Sequence, residues 1–262
     1  PRFAAALREH PERELASLTM GLRLSEAGDL LAELRLVLAP GGQLARHTAG
    51  LGKGSGPTFR GIADAPFALA FGMAVPEPWA NSMAAAAQEE AQKATPGSQA
   101  ELQGLLHQLR GFGFAVRGPK PGAPMASGLS FALTVTDAQA FLTHAAALAA
   151  LPGKDGQPGA RIEQAHFEGR PLVKFTTVPP EKKPEESAAP SIVPPPEMLF
   201  GSREVKSALL AADDHTVIAG FGEPGEAFTA ALASLASGGL ARLPRLQRTQ
   251  SLLGEGQALL YL

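Results

Sequence analysis

Two runs of period-two alternation constrain this chain more than any other feature: Phe112, Phe114 and Val116 in one, and Leu129, Phe131, Leu133 and Val135 in the other. Successive side chains of a strand point to opposite faces, so each run predicts a strand with an apolar side. A Pro/Gly-rich stretch, residues 118–128, lies between them, and together they predict an antiparallel pair with one side on a core. An earlier pair has the same form. Leu18, Met20, Leu22 and Leu24 precede a Ser-Glu-Ala-Gly turn, and Ala32, Leu34, Leu36 and Leu38 follow it. Residues 67–73 predict a further strand, and residues 161–168 and 172–178 a hairpin turning at Gly169.

Helical patterns follow each pair. Residues 43–51 predict a short helix and residues 79–110 a helical region, in which Ser98 and Glu101 match a capping box and Leu102, Leu105, Leu106 and Leu109 form a stripe. Thr136 and Gln139 predict a second capping box, opening a helix with Phe141, Leu142, Ala145 and Leu148 inward. Ser202 predicts an N-cap for a short helix over 203–211. The opening residues read as two short helical pieces, with Pro11 in the first turn of the second. The proline-rich residues 179–196, with the balanced charges EKKPEES, predict a surface loop.

The expected fold is α+β: two related units of antiparallel sheet with helices packed on one face. An approximate internal repeat overlays His47 on His144, Leu34, Leu36 and Leu38 on Phe131, Leu133 and Val135, and Asp64, Phe67, Phe71 and Gly72 on Asp214, Val217, Phe221 and Gly222. The expected domains are 1–110, then 111–242 with an inserted hairpin and Pro-rich loop at about 157–210, then 243–262 as the start of a further unit or a terminal strand.

Composition narrows the function. Of the 262 residues, 23 are Lys or Arg and 25 Asp or Glu, a net charge of −2, which does not indicate a polyanionic partner; no nucleic acid is expected. Hydrophobic residues make up 45%, enough for a large core, and with one Trp and one Tyr that core is built from Leu, Ala, Val and 13 Phe. Cysteine is absent, which excludes disulfides, thiolate metal sites and cysteine nucleophiles. No run approaches the ~18 apolar residues of a transmembrane segment.

Four groups of residues invite chemical readings. Gly220, Gly222 and Gly225 have the spacing G-x-G-x-x-G between a strand-like and a helix-like run, the local pattern of a dinucleotide site. Against that reading, Glu223 occupies the place of the diphosphate, and no Asp or Glu lies between Ala227 and Glu255 to take the ribose hydroxyls. The alternative is a strand ending at Phe221, with Pro224 in the first turn of a helix that buries Phe228, Ala231, Leu232 and Leu235. Residues 50–56, GLGKGSG, depart from a phosphate-binding loop because Gly54 separates Lys53 from Ser55. The adjacent Asp213, Asp214 and His215 suit acid–base work or a turn into a strand. The six histidines, His10, His47, His107, His144, His166 and His215, lack metal-binding spacing, and His47 and His144 read as partly buried structural residues. No cofactor, metal or catalytic residue is assigned.

The phrasing LRLVLAPGGQLARHTAGL…FRGIADAPFALAFGM, with its echo LSFALTVTDAQAFLTHAAAL…AADDHTVIAGFG, resembles uncharacterised repeat-containing bacterial envelope proteins of planctomycete type. The resemblance implies an exported, periplasmic or envelope-associated protein without catalytic residues, its signal peptide removed, with a further unit after Leu262. The functional expectation is therefore a non-catalytic binding or assembly protein that contacts a protein partner, or itself, through edge strands such as GQALLYL. A second expectation is an apolar-ligand carrier with a cavity lined by Phe112, Phe114, Phe131, Phe141 and Phe175. A third is a nucleotide-dependent enzyme using the Gly220–Gly225 loop, or a hydrolase using Asp213, Asp214 and His215.

Overall fold

The computed structural model describes residues 13, 15–24, 30–42, 45, 59–91, 98–119, 122–152, 159–178, 196–244, 246–247 and 258–261. The chain divides into two compact units, residues 1–52 and 53–262. Residue 110, the boundary expected from the sequence, lies within a strand of the second unit. The expected helices at residues 1–17 and 43–51, the GLGKGSG loop with Lys53 and Ser55, His10 and His47, and the proline-rich residues 179–195 lie outside the described residues, apart from positions 13, 15–17 and 45, of which 15–17 open a strand instead of continuing a helix.

In the first unit, β1 (Leu15–Leu24) and β2 (Leu30–Leu38) form the expected antiparallel pair, with Met20 opposite Leu34 and Leu22 opposite Ala32. The second unit is an eight-stranded antiparallel sheet with helices. Its strands are β3 (Leu69–Ala74), β4 (Leu109–Val116), β5 (Leu129–Val135), β6 (Arg161–Phe167), β7 (Arg170–Thr177), β8 (Val205–Asp213), β9 (Thr216–Phe221) and β10 (Ala258–Tyr261). They lie in the order β10-β3-β4-β5-β9-β8-β7-β6. From β5 the chain passes through a helix to the far edge and returns as the meander β6 to β9, so that β9 closes the gap beside β5. The internal repeat is not confirmed in this pairing. Leu34 and Leu36 belong to a two-stranded sheet, whereas Phe131 and Leu133 lie in the middle of the eight-stranded one.

Among the described residues, five helices accompany the strands: α1 (Glu77–Ala91), α2 (Ser98–Gln108), α3 (Ala138–Ala150), α4 (Pro196–Phe200) and α5 (Gly225–Ser237). They cover both faces of the sheet, which corrects the one-face expectation. Phe228 and Ala231 of α5 pack with Leu172, Leu210 and Ile218, while Phe141, Leu142 and Ala145 of α3 pack with Val173, Ala211 and Val217. Strand neighbours thus fall into different cores, as the pleat requires. The signal was present in the sequence, because Leu209–Ala212 and Val217–Ala219 are apolar on both sides rather than alternating.

Residues 203–211, expected to be helical, are a correction of the same kind. They run into β8, held between β7 and β9 by pairs such as Leu209–Val173 and Leu209–Ala219. Tertiary pairing overrides the helical preference of the alanines. The first residue of α3 also shifts: Asp137, not Thr136, is the N-cap, its carboxylate accepting from the Ala140 amide at 2.9 Å. The helical region before β4 ends at Gln108, so Leu109 belongs to the strand rather than to the α2 stripe.

A row of half-buried rings crosses the α3 face of the sheet. Phe71, Phe114 and Phe131 stand opposite one another in register, and ring centroids 5.5–6.0 Å apart extend the row to Phe112, Phe221 and Phe200. These separations are favourable for aromatic pairs. Phe141 and Phe175 lie in the buried α3 core.

Candidate functional site

The G-x-G-x-x-G stretch joins β9 to α5 as the strand–loop–helix alternative required, with Pro224 as the N-cap rather than in the first turn, and two of the three glycines have a local reason. At Gly220 a Cβ would lie 2.4 Å from Pro224 Cβ and 3.1 Å from Phe228, so the missing side chain lets the start of α5 close on the strand. Gly222 has φ +71°, a conformation glycine adopts without steric cost, and its amide donates to the Lys206 carbonyl at 2.9 Å. Gly225 begins the helix, with Phe167 Cε2 as the nearest atom at 4.0 Å. Among the described residues the sheet is antiparallel throughout, without the parallel strand ends at which dinucleotides bind.

That loop is nevertheless one wall of a groove of about 560 Å3. The opposite wall is the outer part of the sheet, where cross-strand register brings together residues distant in sequence. Arg161 stands opposite Thr176 and Thr176 opposite Lys206, giving one row; Glu163 stands opposite Lys174 and Lys174 opposite Ala208, giving the next. Below them Leu172 and Phe167 meet Phe228 of α5, with the Phe167 and Phe228 rings edge-on at 5.6 Å. The groove is apolar at depth and charged at the rim.

The rim charges differ in their engagement. Lys174 Nζ donates to Glu163 Oε1 at 2.8 Å, and this hydrogen bond, together with the lysine's charge, holds the Glu163 carboxyl below its ordinary range. Lys206 Nζ lies 4.0 Å from Glu204 Oε2, longer than a hydrogen bond. Glu223 also borders the groove and is exposed. Pro224, at the N-cap of α5, supplies no side-chain acceptor to the first turn.

Asp213, Asp214 and His215 border a separate depression of about 380 Å3 with Thr136, Asp137 and Arg170. Asp213 Oδ2 accepts from Arg60 Nη2 at 2.7 Å, and Oδ1 accepts from the His215 amide at 2.9 Å. The His215 ring donates from Nδ1 to the Thr136 carbonyl, 2.8 Å away. The carboxylate therefore holds the turn and does not orient the imidazole, unlike the acid in a catalytic triad. Asp213 and His215 perform the turn role available from sequence.

His144 matches its structural reading. It is partly buried, its Nδ1 donates to Glu101 Oε2 at 2.8 Å, and its ring lies against Gly104, joining α3 to α2. Among the described residues, no three His, Asp or Glu side chains are grouped as metal ligands. Of the five rings expected to line one cavity, Phe175 borders the 560 Å3 groove; the others belong to the aromatic row or the α3 core. Sequence reasoning missed Arg161, Thr176, Lys174 and Lys206. The Gly169 turn fixes the register that pairs Arg161 with Thr176, and it was the available signal.

No family model matches the chain, no curated protein matches its sequence, and no solved structure matches it. No helix among the described residues is long and apolar enough to cross a membrane.

Proposed function

We propose that the protein is a non-catalytic assembly protein that self-associates along the β10 edge of its sheet. The observation that carries this reading is the difference between the two edges. At one edge, β6 exposes Arg161, Glu163, Gln164 and His166, the charged and polar pattern that discourages strand addition. At the other, β10 has the uncharged sequence ALLY and, among the described residues, a single strand neighbour, β3. Its outer backbone groups suit antiparallel addition of a second copy, which joins two sheets about a two-fold axis. An envelope location belongs to the same proposal and is supported by the sequence resemblance.

Sedimentation equilibrium and native mass spectrometry of the full chain test it. Dimers are expected to accumulate with concentration. Leu260→Lys, which puts a charge on the uncharged edge, is expected to leave a monomer with unchanged circular dichroism. His166→Lys at the opposite edge is expected to dimerise as before. A wild-type chain that stays monomeric at tens of micromolar, or a folded Leu260→Lys variant that still dimerises, refutes the reading.

A further inference from the structure

We propose that the groove between β6–β8 and the start of α5 binds an apolar molecule bearing a single carboxylate. Its body lies over Phe167, Leu172 and Phe228, and its carboxylate lies against Arg161, Thr176 and Lys206. The inference rests on the order of the rows, independently of assembly at β10. The buried residues at its floor, Leu172, Ala208 and Phe228, are apolar although most of the exposed lining is polar, and at about 560 Å3 the volume falls within the ~300–1,000 Å3 of small-molecule pockets. Next comes the Glu163–Lys174 pair, whose charges already satisfy each other at 2.8 Å. Beyond it, the register places two cationic side chains on either side of a hydroxyl; the carboxylate nearest to Lys206 is that of Glu204, which also borders the groove, 4.0 Å from Nζ. A row of guanidinium, hydroxyl and ammonium donors matches the acceptor-only chemistry of a carboxylate.

Two features limit the charge of the head group. Glu223 borders the groove beside the start of α5, and Glu226 lies in its first turn, so negative charge already stands at the positive end of the helix. A diphosphate meets repulsion there, whereas a monoanion held on the sheet side, at Arg161 and Lys206, does not need the helix end. Gly222, tied to the Lys206 carbonyl, fixes the loop wall against the row that takes the head group.

The probes are dodecanoate, dodecylammonium and inorganic phosphate, each titrated into the 15N-labelled full chain below the micellar range. Dodecanoate is expected to shift the amides of Thr176, Lys206, Gly222 and Phe228 in a saturable way. Dodecylammonium and phosphate are expected to bind at least about tenfold more weakly, the loss of about 1.4 kcal/mol of head-group or apolar contact. Arg161→Glu and Lys206→Glu, both exposed positions, are expected to weaken dodecanoate by about tenfold each while leaving the amide spectrum folded. Leu260→Lys is expected to leave dodecanoate affinity unchanged, which separates this site from the assembly edge. Equal binding of dodecylammonium, phosphate binding as tight as dodecanoate, shifts confined to other surfaces, absent saturation, or folded charge variants of wild-type affinity each overturn the proposal.

Discussion

At Gly220 an added methyl group would stand 2.4 Å from Pro224 Cβ, and relief requires the whole first turn of α5 to lift from β9. Gly220→Ala is therefore expected to destabilise by about 1–3 kcal/mol, as over-packing does. Gly222 has open space but φ +71°, and Gly222→Ala is expected to cost about 1–2 kcal/mol from left-handed backbone alone. Gly225 is in the helix with ordinary space, so Gly225→Ala is expected to be neutral or stabilising by up to about 1 kcal/mol. Urea unfolding of the three variants reads this order directly. A different order, with Gly225→Ala the most damaging, would mean that the loop is not held as the packing indicates. The same spacing of glycines thus has two structural causes in the strand and loop and none in the helix.

The β6–β7 hairpin carries a pH dependence of its own. Because Lys174 holds the Glu163 carboxyl low in the folded state, the pair's contribution is present above the carboxyl's unfolded range. It is lost as pH falls through the lowered folded value. Both side chains are exposed, so the effect is small and screened by salt. Carboxyl NMR titration is expected to show Glu163 below the ordinary range, and Lys174→Met to move it upward; an unmoved titration refutes the pairing. This hairpin, the β1–β2 pair, β4 and β5 were legible because local alternation and turns specify them. β8 was not. Its alanines and Ser202 have a local helical preference, and its strand identity comes from β7 and β9, which no local pattern reveals. With β8 misread, Lys206 had no place beside Thr176, and the groove stayed invisible although its Arg161–Thr176 half was implied by the Gly169 turn.

Across the whole sheet, β9 is the seam. The strands β3, β4 and β5 are contiguous on one side and β6, β7 and β8 on the other, and among the described strands β9 alone bonds the two groups. Thr216, Val217 and Ile218 are buried, with Val217 and Ile218 facing opposite cores, so opening the seam exposes both cores at once. The β9 amides are therefore expected to exchange with solvent only through global unfolding, more slowly than those of β6. Hydrogen-exchange mass spectrometry over residues 216–221 and 161–167 decides it; faster exchange in β9 would show that the two strand groups open independently. Helices on both faces contribute to this cooperativity, because neither core is complete without the same central strand.

The short pairing of β10 has a mechanical consequence. Four residue pairs join it to β3, from Ala258 opposite Met73 to Tyr261 opposite Ala70. Tension transmitted along the chain into β10 loads this brief ladder before the longer ones between β4 and β5 or β7 and β8. The strand would detach while the two cores stayed closed, leaving β3 as the new edge and acting as a tear-off seam under load.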